Sequence, residues 1–212
     1  DKAAMEAAAQ ADLPRYMWRE HAVNIYFVGD IDDFGGYCSF PDAHVDEDDM
    51  ILLAPDILNG SMGLAHEFGH YFWLFHTFET FLDTEQIATC QGVAPNCEAS
   101  GDIVCDTPAD PNDIGQLDGL YGCGSCFGCD SDVYKALRYN IMSYYPDIKL
   151  DTAVVTEGQV RRIIDALTWY RHEVMYRPSE WTDLGFALDG ALGTPKLAGA
   201  GLMVHDKPIY FE

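Results

Sequence analysis

The sequence predicts an α+β fold: a mixed, twisted sheet, a histidine-bearing helix, a methionine-containing turn and a C-terminal helix. Two short apolar runs, at 23–28 and 50–54, have the length of strands. A helical segment that begins near Met62 carries two histidines four residues apart. A second helical pattern runs from Thr156 to about Met175, and its apolar residues recur at core spacing. These apolar residues are Val160, Ile163, Ile164, Leu167, Tyr170 and Val174.

The first elements of the chain are short. Residues 3–11 are rich in alanine and predict a helix, which Asp12, Leu13 and Pro14 interrupt before a second helical stretch toward Glu20. A mostly apolar strand is predicted to follow at 23–28.

The apolar run at 50–54 is bounded by acids and by Pro55, and we expect it to be the edge strand above a cleft. An edge strand has unpaired backbone groups, so an extended peptide can add to it. Leu52, Leu53 and Ala54 are therefore candidate substrate-binding residues.

Residues 66–76 read HEFGHYFWLFH, and this stretch indicates a specific chemistry. On a helix, His66 and His70 lie about 40° apart around the axis and roughly 6 Å along it, so both rings can reach one tetrahedral zinc ion. Glu67 stands beside them and can act as a general base in metal-assisted amide hydrolysis. The alternative is a chance match on a buried helix with satisfied histidines.

A third histidine, His76, follows six residues after His70. In a continuous helix it would lie about 9 Å further along the axis and roughly 240° around it, away from the metal. The chain must therefore turn if His76 is the third ligand. Downstream carboxylates remain possible third ligands in its place, namely Glu79, Asp83, Glu85 and Glu98.

Residues 140–145 read NIMSYY and precede the C-terminal helix. A single methionine such as Met142 is usually an ordinary core residue. In this order, however, the histidines and the methionine resemble the metzincin pattern H-E-x-x-H-x-x-G-x-x-H followed by a Met-turn. Trp73 occupies the position of the pattern's glycine, which ends the helix at little cost in a positive φ conformation. A tryptophan in that conformation would cost about 1–2 kcal/mol.

The resemblance narrows to the pappalysin family of metzincins. Six segments are similar to that family's segments and occur in its order, and together they span roughly residues 20–175. They are VNIYFV at 23–28, GYCSFP at 36–41, LAHEFGH at 64–70, HTF at 76–78, GDIVCDTPA at 101–109 and TEGQV at 156–160. The resemblance implies a metzincin-like α+β fold and zinc-dependent hydrolysis of protein or peptide substrates.

The resemblance also implies roles for individual residues. His66, His70 and His76 correspond to the zinc ligands, and Glu67 to the general base. Met142 corresponds to the hydrophobic floor beneath the ligands. Tyr144 corresponds to a tyrosine that donates a hydrogen bond where negative charge develops on the scissile oxygen. The neighbouring Tyr145 is the alternative.

Two further features follow from the resemblance. It implies a possible Ca²⁺ site formed by Asp102, Thr107 and the carbonyl of Val104, although Pro111 stands where a further acidic ligand is expected. Some pappalysins cleave beside basic residues, and an acid after the Met-turn could form the floor of such a pocket. Asp147 is our candidate for that substrate-binding residue.

The composition suits a compact secreted enzyme. The chain has 212 residues, of which 48% are hydrophobic, and its net charge of −23 makes nucleic acid a poor partner and favours cationic substrates. The sequence contains no run of about 18 apolar residues, so no membrane span is expected. We expect the chain to be a mature form from which a leader and a pro-segment have been removed.

The seven cysteines favour an oxidising compartment. Six of them cluster between the histidine helix and the Met-turn. The triplet Cys123, Cys126 and Cys129 could ligate a structural zinc or an iron–sulfur cluster, but disulfides are favoured in an extracellular hydrolase. The odd count leaves one thiol, which we expect to be Cys38.

We predict one catalytic domain with an upper subdomain at 1–76, a lower subdomain at 77–177 and an unassigned C-terminal extension at 178–212. The predicted function is that of a secreted zinc endopeptidase. Two alternatives remain: a gluzincin-like peptidase with a downstream glutamate such as Glu98 as third ligand, or a catalytically silent zinc-bearing binding protein in which Trp73 has disrupted the site. The oligomeric state cannot be predicted from the sequence.

Overall fold

The computed structural model describes residues 2–16, 22–29, 35–38, 40–41, 50–55, 62–92, 96–146, 148–149, 151–171 and 174. Asp147 and the extension at 178–212 lie outside the described residues.

Three strands form a mixed sheet in the upper part of the fold. They are β1 (Asn24–Phe27), β2 (Gly36–Cys38) and β3 (Met50–Leu53), in the order β1-β3-β2. β3 is parallel to β1 and antiparallel to β2, so the predicted mixed sheet is confirmed.

The predicted edge position of residues 50–54 is wrong, because β3 is the central strand of the described sheet. Leu52 pairs with Tyr26 on one side and with Tyr37 on the other. The Ala54 N–H donates to the carbonyl of Gly35 at 2.8 Å. All four side chains of β3 are buried, as expected for a strand covered on both faces. Leu52, Leu53 and Ala54 are therefore not placed to accept a peptide by strand addition.

Helices cover both faces of the sheet. The first two are α1 (Lys2–Ala11) and α2 (Leu13–Tyr16), and α3 (Gly63–Tyr71) is the histidine helix. Alternate side chains of β3 point to opposite faces. Met50 and Leu52 pack with Ala9 of α1, whereas Ile51 and Leu53 pack with Tyr71 of α3. The sheet thus fixes α3 from one side.

The lower part of the fold contains α4 (Ile114–Tyr121), α5 (Asp132–Arg138) and α6 (Glu157–Trp169). α4 and α5 contribute to a small core whose buried members are Ala88, Leu117, Tyr121, Leu137 and Tyr145. Three disulfides stabilise this region, and they join Cys90 to Cys126, Cys97 to Cys105 and Cys123 to Cys129. The disulfide prediction is confirmed, and the buried Cys38 lies outside all three bonds.

The C-terminal helix is confirmed, but its buried face differs from the prediction. Thr156 caps α6 through a capping box with Gln159, and Gln159 and Ala166 are its buried residues. Val160 and Ile164, which were expected in the core, are exposed. The reason is that the polar side chain of Gln159 bonds both the helix cap and the Met-turn, which rotates the neighbouring apolar residues outward. No helix in the described ranges has the length and apolar character needed to cross a bilayer.

Candidate metal centre and active site

The helix α3 ends just after its second histidine, and the chain reverses there. Trp73 has a φ of 69°. Its N–H donates to the carbonyl of His70 at 2.9 Å, while the N–H of Leu74 donates to that of Gly69 at 2.8 Å. These two bonds form a Schellman motif, in which the left-handed residue is usually glycine. The expectation that the chain turns at Trp73 is confirmed, and the turn brings His76 back toward α3.

The structure brings three imidazoles together, those of His66, His70 and His76. The Nε2 atom of His76 lies 3.2 Å from that of His66 and 3.1 Å from that of His70. On the far side of the rings, His66 Nδ1 donates to the carbonyl of Ile141 at 2.6 Å and His70 Nδ1 donates to the carbonyl of Leu74 at 2.8 Å. Because these Nδ1 atoms carry the protons, the lone pairs of both Nε2 atoms face His76.

This donor set fits zinc. A tetrahedral zinc ion with Zn–N bonds of about 2.0–2.1 Å holds its ligand nitrogens about 3.4 Å apart, close to the observed separations. Burial lowers the pKa of all three histidines, that of His70 to about 3 and that of His76 to about 4. The imidazoles are therefore neutral at physiological pH, which is the form that binds a metal.

No other cluster of three or more histidine, cysteine or carboxylate side chains within the described ranges could hold a metal ion. Glu98, the ligand of the gluzincin alternative, is exposed and is not part of the histidine cluster. Glu79, Asp83 and Glu85 are likewise outside it. The described geometry thus favours His76 over every carboxylate considered from the sequence.

Glu67 lies on α3 between the two histidines and is only 6% exposed. Burial raises the pKa of its carboxyl group to about 7. The side chain packs against the backbone of Gly36, where a Cβ atom would lie 2.6 Å from Glu67 Oε1. The contact with Gly36 was not predicted, because no local sequence signal connects β2 with α3.

Tyr144, and not Tyr145, faces the histidines. The Tyr144 hydroxyl lies 3.0 Å from Nε2 of His76, and its side chain is 60% exposed. Its pKa is raised by burial of the hydroxyl and by the negative charge of Glu67. Tyr145 is buried and its hydroxyl donates to the carboxylate of Asp110.

The Met-turn (residues 140–145) lies directly beneath the histidines. Met142 is completely buried, and its Sδ atom would be 2.2 Å from a Cβ atom added to Gly69. Glycine at 69 therefore permits the close approach of α3 to the Met-turn. The N–H of Met142 donates to Oδ1 of Asn140, and the Asn140 amide exchanges two hydrogen bonds of 3.0 Å with Gln159 of α6. The sequence did not identify Asn140 and Gln159 as supports of the site.

The oxygens considered for calcium also lie together. The Thr107 hydroxyl is 2.7 Å from both Asp102 Oδ2 and the carbonyl oxygen of Val104, and all three residues are buried. Burial raises the pKa of Asp102 to about 7. Burial, and then the charge of Asp102, raise that of Glu85 to about 8. Neither carboxylate oxygen of Glu85 has a hydrogen-bond partner within the described part of the chain.

Comparisons with known proteins identify the family of the chain. Residues 9–168 match the family model of peptidase M43, described as pregnancy-associated plasma protein-A. The chain is 30% identical over 164 residues to an extracellular metalloprotease of Colletotrichum graminicola, covering 71% of this chain and 50% of the relative. It is 33% identical over 165 residues to an extracellular metalloprotease of Verticillium alfalfae, covering 71% and 51%. The chain thus spans about half the length of the curated relatives it matches.

A solved structure is also similar to this chain. It is the mature mirolysin of Tannerella forsythia in complex with a cleaved peptide, with a TM-score of 0.46 and 21% sequence identity. The similarity covers 74% of this chain and 57% of the mirolysin chain.

Proposed function

The chain belongs to the pregnancy-associated plasma protein-A family of peptidases, the pappalysins, and from that premise we propose that it is a secreted zinc endopeptidase. The observation that carries the proposal is the convergence of three neutral imidazoles, with a buried carboxylate on the same helix as two of them. Bound there, zinc would act as a Lewis acid that lowers the pKa of water and polarises the scissile carbonyl.

The chain's own residues supply the remaining steps. Glu67 accepts a proton from the attacking water and passes it to the leaving amine, and it lies buried on the same helix as two of the histidines. The Tyr144 hydroxyl donates a hydrogen bond to the oxygen on which negative charge develops. The backbone carbonyls of Ile141 and Leu74 hold the two helical imidazoles in the tautomer that presents Nε2.

Substrate selection is part of the proposal. We assign the substrate cleft to the boundary between an upper subdomain at 1–76 and a lower one at 77–177, and Asp147 follows the Met-turn in the sequence. We assign to Asp147 a preference for Arg or Lys at the first primed position. Asp147→Ala should flatten this preference in a peptide-library digest, and an unchanged cleavage profile would remove Asp147 from the pocket.

Calcium binding is a further element of the proposal. Asp102, Val104 and Thr107 supply the hard oxygen donors that Ca²⁺ prefers. The carboxyl group of Glu85, which has no hydrogen-bond partner among the described residues, would ionise beside a bound cation and add negative charge there. Secretion is supported by the three disulfides and by the relatives, which are named extracellular metalloproteases.

The test of the proposed function is a peptide-library digest by the zinc-loaded chain, with Glu67→Gln as the matched variant. We expect internal peptide bonds to be cleaved by the unaltered chain and not by the variant, with zinc retained by both. Zinc retention without cleavage by either protein would instead identify a silent zinc-bearing binding protein. His76→Ala should abolish zinc retention whereas Glu98→Ala should not, and the opposite pattern would favour the gluzincin-like alternative.

A further inference from the structure

Trp73 is the residue at which this chain departs from its family pattern. It has the left-handed conformation, with φ 69°, that the pattern assigns to a glycine. For a residue with a Cβ atom this conformation costs about 1–2 kcal/mol. The surrounding structure must hold Trp73 there, because the position of His76 depends on the turn.

Two side chains of the C-terminal helix α6 and its cap contact Trp73. The ring of Tyr170, at the end of α6, meets the indole edge to face, with centroids 4.4 Å apart. The guanidinium of Arg162 lies 5.6 Å from the indole centroid and 4.9 Å from the ring of Phe75, the residue before His76. Contacts between cations and aromatic rings at these distances are attractive.

Arg162 also binds the loop that precedes the Met-turn. Its Nη1 donates to the carbonyl of Asp102 at 3.1 Å. The next residue, Ile103, also has a positive φ, of 55°. Arg162 Nη1 also reaches the carbonyl of Ile103, at 3.5 Å, so the same arginine contacts two left-handed residues, Trp73 after α3 and Ile103 in the lower part of the fold. Its Nε is buried without a hydrogen-bond partner in the described ranges, a cost that the other contacts of the side chain must offset.

We propose that Arg162, together with Tyr170, is a positioning residue that holds the Trp73 turn and thereby places His76 among the metal ligands. The proposal rests on the proposed zinc centre. It assigns to α6 a function in metal binding that the Cβ atom of Trp73 makes necessary, since a glycine could adopt the turn unaided.

A double-mutant cycle tests this mechanism. The zinc dissociation constant is measured by competition with a chromophoric chelator for the unaltered chain, Arg162→Met, Trp73→Gly and the double variant. In the Trp73 background we expect Arg162→Met to weaken zinc binding about 10- to 100-fold, as loss of outer-shell partners does. In the Trp73→Gly background, where the turn needs no support, we expect the same change to weaken it less than about threefold. The visible spectrum of the Co²⁺-substituted proteins should show altered coordination only in Arg162→Met alone.

Arg161→Met is the matched control, because Arg161 is exposed and pairs with Glu157 on α6. It should leave the dissociation constant unchanged. Equal losses from Arg162→Met in both backgrounds would overturn the proposal, and so would misfolding in both. Misfolding that Trp73→Gly rescues would support it. Zinc binding without proteolysis in the unaltered chain would reject the proposed enzyme function, but the double-mutant cycle would still test the role of Arg162. Absence of zinc binding would reject both proposals.

Discussion

Gly36 shows how the absence of a side chain shapes the active site. It belongs to β2, yet its Cα faces the carboxylate of Glu67 on α3 so closely that a Cβ atom would lie 2.6 Å from Oε1. The proposed general base is therefore positioned by the sheet as well as by its own helix. Positioning of this kind is important because a displacement of about 1 Å can reduce the rate roughly 100-fold.

We predict that Gly36→Ala reduces kcat about 100-fold without loss of zinc. The added methyl group must displace the Glu67 carboxylate, whereas the three histidines keep their positions. Steady-state kinetics on a fluorogenic peptide and the zinc content of the purified protein check both parts. Gly29→Ala is the control, because a Cβ atom there would meet nothing within 4 Å. Equal activities of the two variants would show that Gly36 does not position Glu67.

The ionisable groups of the site predict how zinc binding depends on pH. The pKa values of His70, about 3, and His76, about 4, mean that protons compete little for these two imidazoles above pH 5, and the lowered pKa of His66 acts in the same direction. Glu67 has a pKa raised to about 7, so it is protonated below that pH in the metal-free protein. A bound cation favours the ionised carboxylate, and zinc binding therefore releases this proton.

We expect the zinc association constant to rise with pH between 5 and 7 by up to about tenfold per unit, which corresponds to one proton. In Glu67→Gln the constant should be nearly independent of pH over the same range. Competition titrations at several pH values measure both slopes. A slope of two or three protons in the unaltered chain would mean that the histidines titrate with zinc, contrary to the burial of their rings.

At the scale of the elements, the Met-turn depends on α6. Gln159 accepts a hydrogen bond from the N–H of Thr156, its own helix cap, and exchanges two more with Asn140 of the turn. All three residues are buried. This explains why a polar side chain occupies the buried face of α6 while Val160 is exposed.

We predict that Gln159→Leu lowers the free energy of unfolding by about 1–3 kcal/mol, because it removes both hydrogen bonds to Asn140 and leaves the buried N–H of Thr156 without its acceptor. Val160→Ala, one residue away on the exposed face, should change it by less than about 0.5 kcal/mol. Urea unfolding of both variants provides the comparison. Similar small effects would indicate that water replaces the glutamine amide in the turn.

The same elements show what the sequence could and could not predict. The histidine helix, its end at Trp73 and the cap at Thr156 were predicted because local geometry decides each of them. The edge position of residues 50–54 was wrong because strand order depends on pairing with remote segments. The continuous apolar run was itself typical of a central strand. The contact of Gly36 with Glu67 has no local signal at all, since it joins two separate elements.

At the scale of the whole molecule, disulfides and charges supplement the short helices and strands of the described residues. The three disulfides all lie between residues 90 and 129 and hold a loop-rich part of the chain. The net charge of −23 opposes compaction but attracts cationic peptides to the surface. Within this acidic molecule, Asp102 and Glu85 are buried close enough for the charge of one to raise the pKa of the other.

Glu85 gives a prediction about the stability of the whole fold. Its pKa in the folded protein, about 8, lies above the ordinary value of 4.5, so protons bind the folded state more tightly than the unfolded one. The stabilisation is complete below pH 4.5 and is lost as the pH rises through 8. In calcium-free, zinc-containing buffer we therefore expect the unaltered chain to lose stability relative to Glu85→Gln between pH 5 and 9. Glu98→Gln, at an exposed glutamate, should show no such divergence.

Calcium should reverse this trend if it binds beside Asp102. A divalent cation favours the ionised form of Glu85, so saturating Ca²⁺ at pH 8 should restore the stability of the unaltered chain more than that of Glu85→Gln. Urea unfolding with and without Ca²⁺ measures the difference. Parallel stability curves for the two proteins at all pH values would show that folding does not raise the pKa of Glu85. Divergent curves that Ca²⁺ leaves unchanged would show that the pair shares a proton, not a metal ion.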